Sequence, residues 1–143
     1  MPTLAWWPGS VVPGERTDHQ AAFWDLPATF VELAGLPALE KTDGISFVPT
    51  LRGDPNQQEH EFLYWEFHEQ QGKQAVRMGD WKGIRLKMQK PAETRFELYD
   101  SSSDISEASD IADQHPIVVA KIIEIMEREH VPNENVSIRT GVK

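Results

Sequence analysis

Residues 63–86 read LYWEFHEQQGKQAVRMGDWKGIRL. Two glycines punctuate the stretch, Gly72 in QQGK and Gly79 in MGDW, and the runs between them are short and rich in aromatic or branched residues. Runs of this kind, joined by turns too short for a crossover, pair as antiparallel strands. Working outward, KMQKPAE around Pro91 supplies a third turn and FELY a further run. The spacing predicts strands over 62–67, 74–77, 81–87 and 96–99, in a four-stranded meander. One face of such a sheet needs a cover, and the C-terminal side of the chain offers one. Pro116 opens a run that puts Val118, Val119, Ile122, Ile123 and Met126 on one helical face, with Lys121, Glu124, Glu127 and Arg128 facing away. The expected fold class is α+β, a small antiparallel sheet packed against a C-terminal helix.

Upstream the pattern changes. Thr3-Leu4-Ala5-Trp6-Trp7 is an apolar run stopped by Pro8-Gly9, which reads as a strand buried on both faces and in need of neighbours. In DLPATFVELAG, Leu26, Phe30, Leu33 and Ala34 share one helical face, Asp25 is placed to cap, Pro27 suits the first turn and Gly35 the left-handed stop. Residues 37–59 read as an ordered loop with a helical turn near Pro49–Leu51. Residues 100–114, DSSSDISEASDIADQ, have the composition of a linker, and the tail from Pro132 is polar and expected to fray.

At 143 residues the chain has the length of one ordinary domain. A formal charge of −9 repels a phosphate backbone, so nucleic acid is not an expected partner. No apolar run approaches the ~20 residues that span a bilayer, and MPTLAWWPGS lacks the basic flank of a signal peptide. There is no cysteine, hence no disulfide, thiolate nucleophile or Cys-rich zinc site. Neither a phosphate loop, a GxSxG elbow nor HExxH is present. His60, Glu66 and His68 share a strand face, but His60 and His68 would lie about 26 Å apart on an extended chain, too far for one ion. Asp18, His19 and Asp25 are explained by capping and loop positions. Trp65 and Trp81 lie in strand runs, where cross-strand aromatic pairing is an ordinary stabiliser. No catalytic residue and no metal site is assigned.

Three pieces, in order, carry a family resemblance. PTLAWWPGSVVPGERTDHQAAFWDLPATFVELAGLP, TDGISFVPTLRG, and LYWEFHEQQGKQAVRMGDWKGIRL with FELYD resemble the C-terminal part of sulfatases of the arylsulfatase type, over nearly all of residues 2–130. The resemblance implies an alkaline-phosphatase-like α/β parent. On it, residues 1–59 are an orphan strand, helix and ordered loop from the large domain, 60–131 the C-terminal sheet and helix, and 132–143 a flexible tail. The family pattern continues upstream of Pro2, so a truncated chain is expected. For the full-length family it implies a formylglycine nucleophile, made from the Cys or Ser of a CxPSR-like motif, and a calcium ion held by aspartates and an asparagine. None of these maps onto this chain, so no cofactor is expected within it. Full-length relatives are usually exported.

What transfers is a rim. In the family this subdomain often shapes the mouth of the substrate pocket, which points to the HEQQGK loop, with His68, Gln70 and Lys73 contacting a sulfated or hydroxylated ligand. At DISEASDIADQHP the sequence departs from the family's Asp-Pro turn. The expected partners are an N-terminal sulfatase domain and a sulfated small molecule or carbohydrate, with no membrane. The expected role is structural, within sulfate-ester hydrolysis. The alternatives are a free-standing binding module for sulfated carbohydrate and an inert fragment.

Overall fold

The computed structural model describes residues 3–133 and residue 138. Two compact units divide at His60. The fold is α+β.

The second unit, from Glu61 onward, contains β1 (Leu63–Phe67), β2 (Lys73–Met78), β3 (Trp81–Leu86) and β4 (Arg95–Asp100), followed by the helix α3 (Pro116–Glu129). The strands form one antiparallel sheet in the order β1-β2-β3-β4, the meander expected from the glycine turns. Gly79, at φ +57°, makes the two-residue turn between β2 and β3. Side chains alternate between faces with period two. Gln74 and Val76 of β2, Gly83 of β3 and Leu98 of β4 lie on the inner face and are buried, and Val76 and Leu98 pack with Ile122, Ile125 and Met126 of α3. Ile125 joins the buried stripe although the sequence reading placed Ile123 there; Ile123 is half-buried. Phe62, Tyr64, Met78, Trp81 and Phe96 close the margins.

Registration decides which side chains meet. Trp65 stands opposite Ala75, which stands opposite Ile84, whereas Trp81 pairs with Met78 and Asp100. The two tryptophans therefore lie on opposite faces, and the expected cross-strand pair does not form. Trp81 instead meets the His115 ring at 4.8 Å between centroids. The serine-rich segment after β4 is ordered by its acids: Asp100 and Asp104 accept hydrogen bonds from Ser102 and Ser109 amides, and Asp110 Oδ1 accepts from the Leu98 and Ala112 amides. Short polar side chains that bond nearby backbone hold its turns, and Ile111 and Ala112 anchor its end against the core. The tail expected to fray falls mostly outside the described residues.

The first unit contains α1 (Asp25–Leu33) and α2 (Val48–Leu51), the second of them the turn expected near Pro49. The α1 helix ends at Gly35, φ +66°, as its sequence predicts. Its buried side differs from the expected stripe. Asp25 and Thr29 are buried, while Phe30 is 61% exposed. Asp25 does not cap α1. Its carboxylate accepts the Ala22 amide at 2.6 Å and the Ile45 amide at 2.9 Å, and meets His60 Nε2 at 2.8 Å. Thr29 Oγ1 accepts the Phe47 amide at 3.1 Å. The polar side of α1 thus fixes the 45–47 segment, and Gly44 lies so close to the Trp24 carbonyl oxygen that an added Cβ would sit 2.1 Å from it. Residues 3–7, expected as a strand, join no ladder, with Leu4 100% and Trp6 88% exposed. Extended backbone without a hydrogen-bonding neighbour is not a strand.

Gly83 sits beneath α3, where an added Cβ would fall 2.7 Å from both Ile122 Cγ2 and Phe96 Cζ. Gly83→Ala is expected to destabilise the second unit by about 1–3 kcal/mol, the usual cost of overpacking a tight core, read as a lower urea midpoint with an unchanged slope.

Candidate functional site

The β1–β2 loop carries the residues the sequence singles out. Gln70 (φ 51°), Gln71 (φ 73°) and Gly72 (φ 75°) follow one another in the left-handed region, a conformation that costs non-glycine residues of order 1 kcal/mol each and needs external support. The support is backbone pairing from across the hairpin: the Met88 amide donates to Gly72 O at 3.1 Å and the Gln89 amide to Gln71 O at 2.9 Å. Gln89 Nε2 also donates to His68 O at 3.1 Å. Gly72 has no alternative residue, because a Cβ would lie 2.7 Å from the Ile138 carbonyl oxygen.

The three predicted rim residues are near in sequence but not one cluster. Lys73 Nζ donates to Gln70 Oε1 at 2.7 Å. Both line a shallow depression of about 220 Å³, together with Gln71, Leu86, Lys87 and Arg95. His68 does not line it; its ring lies 3.9 Å from Glu66 Oε2. The Lys87 and Arg95 contributions escape sequence reading because they come from the far ends of β3 and β4, brought to Lys73 only by strand registration.

Glu66 belongs to a different constellation, on the α3 side of the sheet. Its Oε1 accepts from Tyr64 OH, lies 2.5 Å from His130 Nδ1 and accepts Gln74 Nε2 at 3.1 Å. Gln74, fully buried, also takes Arg85 NH1 at 3.2 Å on its own oxygen, and Arg85 reaches Glu127 of α3 at 2.7 Å. This network ties β1 and β2 to the C-terminal end of α3. Nothing local in the sequence signals a partner for Glu66 that lies 64 residues downstream. Likewise His60, read as a strand-edge residue, is held by Asp25.

The family model for N-sulphoglucosamine sulphohydrolase, C-terminal, matches residues 1–133. The chain belongs to this family. Among sulfatase relatives, steryl-sulfatase of Rattus norvegicus is 38% identical over 66 residues, which cover 45% of this chain and 11% of that protein. An uncharacterized sulfatase of Schizosaccharomyces pombe is 28% identical over 133 residues, covering 86% of this chain and 23% of its own. Among solved structures, Ps i-CgsB in complex with k-i-k-neocarrahexaose superposes with a TM-score of 0.69 at 28% identity, over 85% of this chain and 27% of that one. The chain therefore spans about a tenth to a quarter of the length of these sulfatases.

The calcium and formylglycine of the sulfatases find no fit here. Among the described residues no group of three or more His, Asp and Glu could hold a metal ion, and the sequence has neither a cysteine nor a serine followed by x-Pro-Ser-Arg. In this sulfatase segment Lys, Gln and Arg side chains can bind an anion, while Glu66, His130 and Asp25 are spent on holding the fold. No described helix is long and apolar enough to cross a membrane.

Burial alone would raise the Glu66 carboxyl, but hydrogen bonds from Tyr64, His130 and Gln74 outweigh it and hold the group below its ordinary value of 4.5. A carboxyl depressed by folding contributes stability that is full above the unfolded value and is lost as pH falls through the folded one. Resistance of the chain to unfolding by urea is therefore expected to fall on acidification below pH 4.5. Glu66→Gln is expected to be less stable at neutral pH and to lose less on acidification; parallel pH profiles for the two proteins would contradict this.

Proposed function

We propose that this chain is the C-terminal portion of a sulfuric ester hydrolase, and that it contributes fold stability and a substrate rim, with the chemistry carried by a larger α/β domain. The observation that carries the reading is the family match across residues 1–133. Two features support it. The relatives are several times longer than this chain, so the chain answers to a segment of them. And the first unit holds Leu4, Trp6, Phe23, Phe30 and Leu36 in solvent, an apolar surface of the kind that packs on another protein body. On this reading the partner is an N-terminal sulfatase domain, to which residues 3–7 add as a strand by backbone hydrogen bonding.

The ligand is a sulfated small molecule or carbohydrate, met at the rim by His68, Gln70 and Lys73. The complex of Ps i-CgsB with neocarrahexaose supports an oligosaccharide of this general kind. A net charge of −9 argues against nucleic acid as a partner.

The purified 143-residue chain, given an aryl sulfate with and without calcium, is expected to show no calcium-dependent release of sulfate. Turnover by the chain alone, abolished by a chelator, would overturn the division of labour proposed here.

A further inference from the structure

The face of the sheet turned away from α3 carries a row of four residues, one from each strand. Phe67 stands opposite Lys73, Lys73 opposite Leu86, and Leu86 opposite Arg95. The next row on that face is Trp65, Ala75, Ile84 and Glu97. An inner face packed by Val76, Leu98 and Ile122 leaves no choice about this outer face, since alternation along each strand assigns it. The end row therefore juxtaposes an aromatic ring, 47% exposed, with two cations, and the loops beyond it add Lys87, Gln70 and Gln71 to the depression.

Charge is unevenly distributed there. The chain as a whole is acidic, yet among the described residues three cationic side chains and no carboxylate line one depression. Lys87 is paired with Glu93 at 2.8 Å, and Glu93 is shared with Lys90 at 3.5 Å. Arg95 has Glu97 at 3.1 Å. Exposed ion pairs of this kind hold weakly and yield to a better anion. Lys73 has no carboxylate partner among the described residues, only the neutral Gln70 oxygen. A sulfate brings several acceptor oxygens, matching the guanidinium fork and the ammonium donors in charge-assisted hydrogen bonds. Phe67, 47% exposed, offers a ring on which the C–H face of a pyranose packs, which a bare anion does not use. The backbone under the site is fixed in advance: besides the three left-handed residues of the β1–β2 loop, Lys87 itself is at φ 57°, and its carbonyl accepts the Lys90 amide and Thr94 Oγ1. A site whose loops are already ordered spends little binding energy on ordering them.

We propose that Lys73, Lys87 and Arg95, with Phe67 beside them, form a subsite for a sulfate group carried on an oligosaccharide. This rests on the rim reading above and extends it from the loop to the ends of β3 and β4. It also removes His68 from the anion site, because His68 lies outside the depression.

The test is calorimetric titration of the full chain with a fully sulfated hexasaccharide, its desulfated counterpart and sodium sulfate. The sulfated hexasaccharide is expected to bind, with the desulfated one at least about tenfold weaker, as loss of a charge-assisted contact implies. K73Q together with R95Q should weaken binding by about tenfold or more, and each single variant should weaken it too, while the single-charge control K121Q on α3 leaves it unchanged. Equal binding of the desulfated hexasaccharide, equal loss in K121Q, or no loss in the double variant would each overturn the subsite. So would sodium sulfate matching the affinity of the hexasaccharide, since the sugar would then contribute nothing. His68→Ala separates the two readings. Binding lost in His68→Ala but kept in the double variant overturns the subsite and keeps the loop rim. Binding lost in the double variant alone supports the subsite and overturns the role of His68 in the rim. Unfolding midpoints of each variant, taken in parallel, exclude loss through misfolding.

Discussion

The second unit depends on the covering of one sheet face by one helix. Ile122, Ile125 and Met126 of α3 rest on Val76 and Leu98, and at about 25 cal/mol per Å² of apolar surface removed from water this contact is the main favourable term available to so small a sheet. Because side chains alternate, sealing that face also settles the other: every residue one position away from a core residue is presented to the opposite side. Gly83 shows how closely the surfaces meet, since Ile122 and Phe96 occupy the space where its side chain would be. A polar network at the rim of the same interface, from Tyr64 through Glu66 and Gln74 to His130, fixes the end of the helix over β1 and β2. Buried Gln74 uses both ends of its amide in this arrangement, so it specifies position at no cost in unsatisfied polar groups.

Much of this was legible in the residues. Glycine turns at 72 and 79 and the aromatic and branched runs between them are local signals, and a four-stranded antiparallel order needs nothing else. The α3 stripe was equally local, and its single discrepancy, Ile125 for Ile123, is within the breadth of a helical apolar face. The α1 stripe misled for a physical reason. Periodicity reports which face is apolar, not which face this chain itself buries. Asp25 and Thr29 are the buried residues because they hydrogen-bond the 45–47 segment, and Phe30 is left in solvent. Residues 3–7 have the composition of a buried strand, but a ladder requires a second strand, and none among the described residues pairs with them.

The site was less legible than the fold. Gln70 and Lys73 were singled out by the resemblance to sulfatases, and both line the depression. Lys87 and Arg95 were not, since their proximity to Lys73 is created by registration across β2, β3 and β4. Pairs such as Asp25 with His60 and Glu66 with His130 have no local signature at all; they are known only when the chain is folded. These side chains serve the fold, and the depression is left with cations, amides and an aliphatic side chain. Such a set has the donors that the proposed sulfated ligand would need.

We place the ligand on the sheet face opposite α3, away from the helix. Amide chemical shifts recorded while the full chain is titrated with the sulfated hexasaccharide test this most directly. Perturbations are expected to gather at 67–73, 86–88 and 95, with the amides of 118–127 in α3 unmoved. Shifts concentrated on α3 or within the first unit would contradict it.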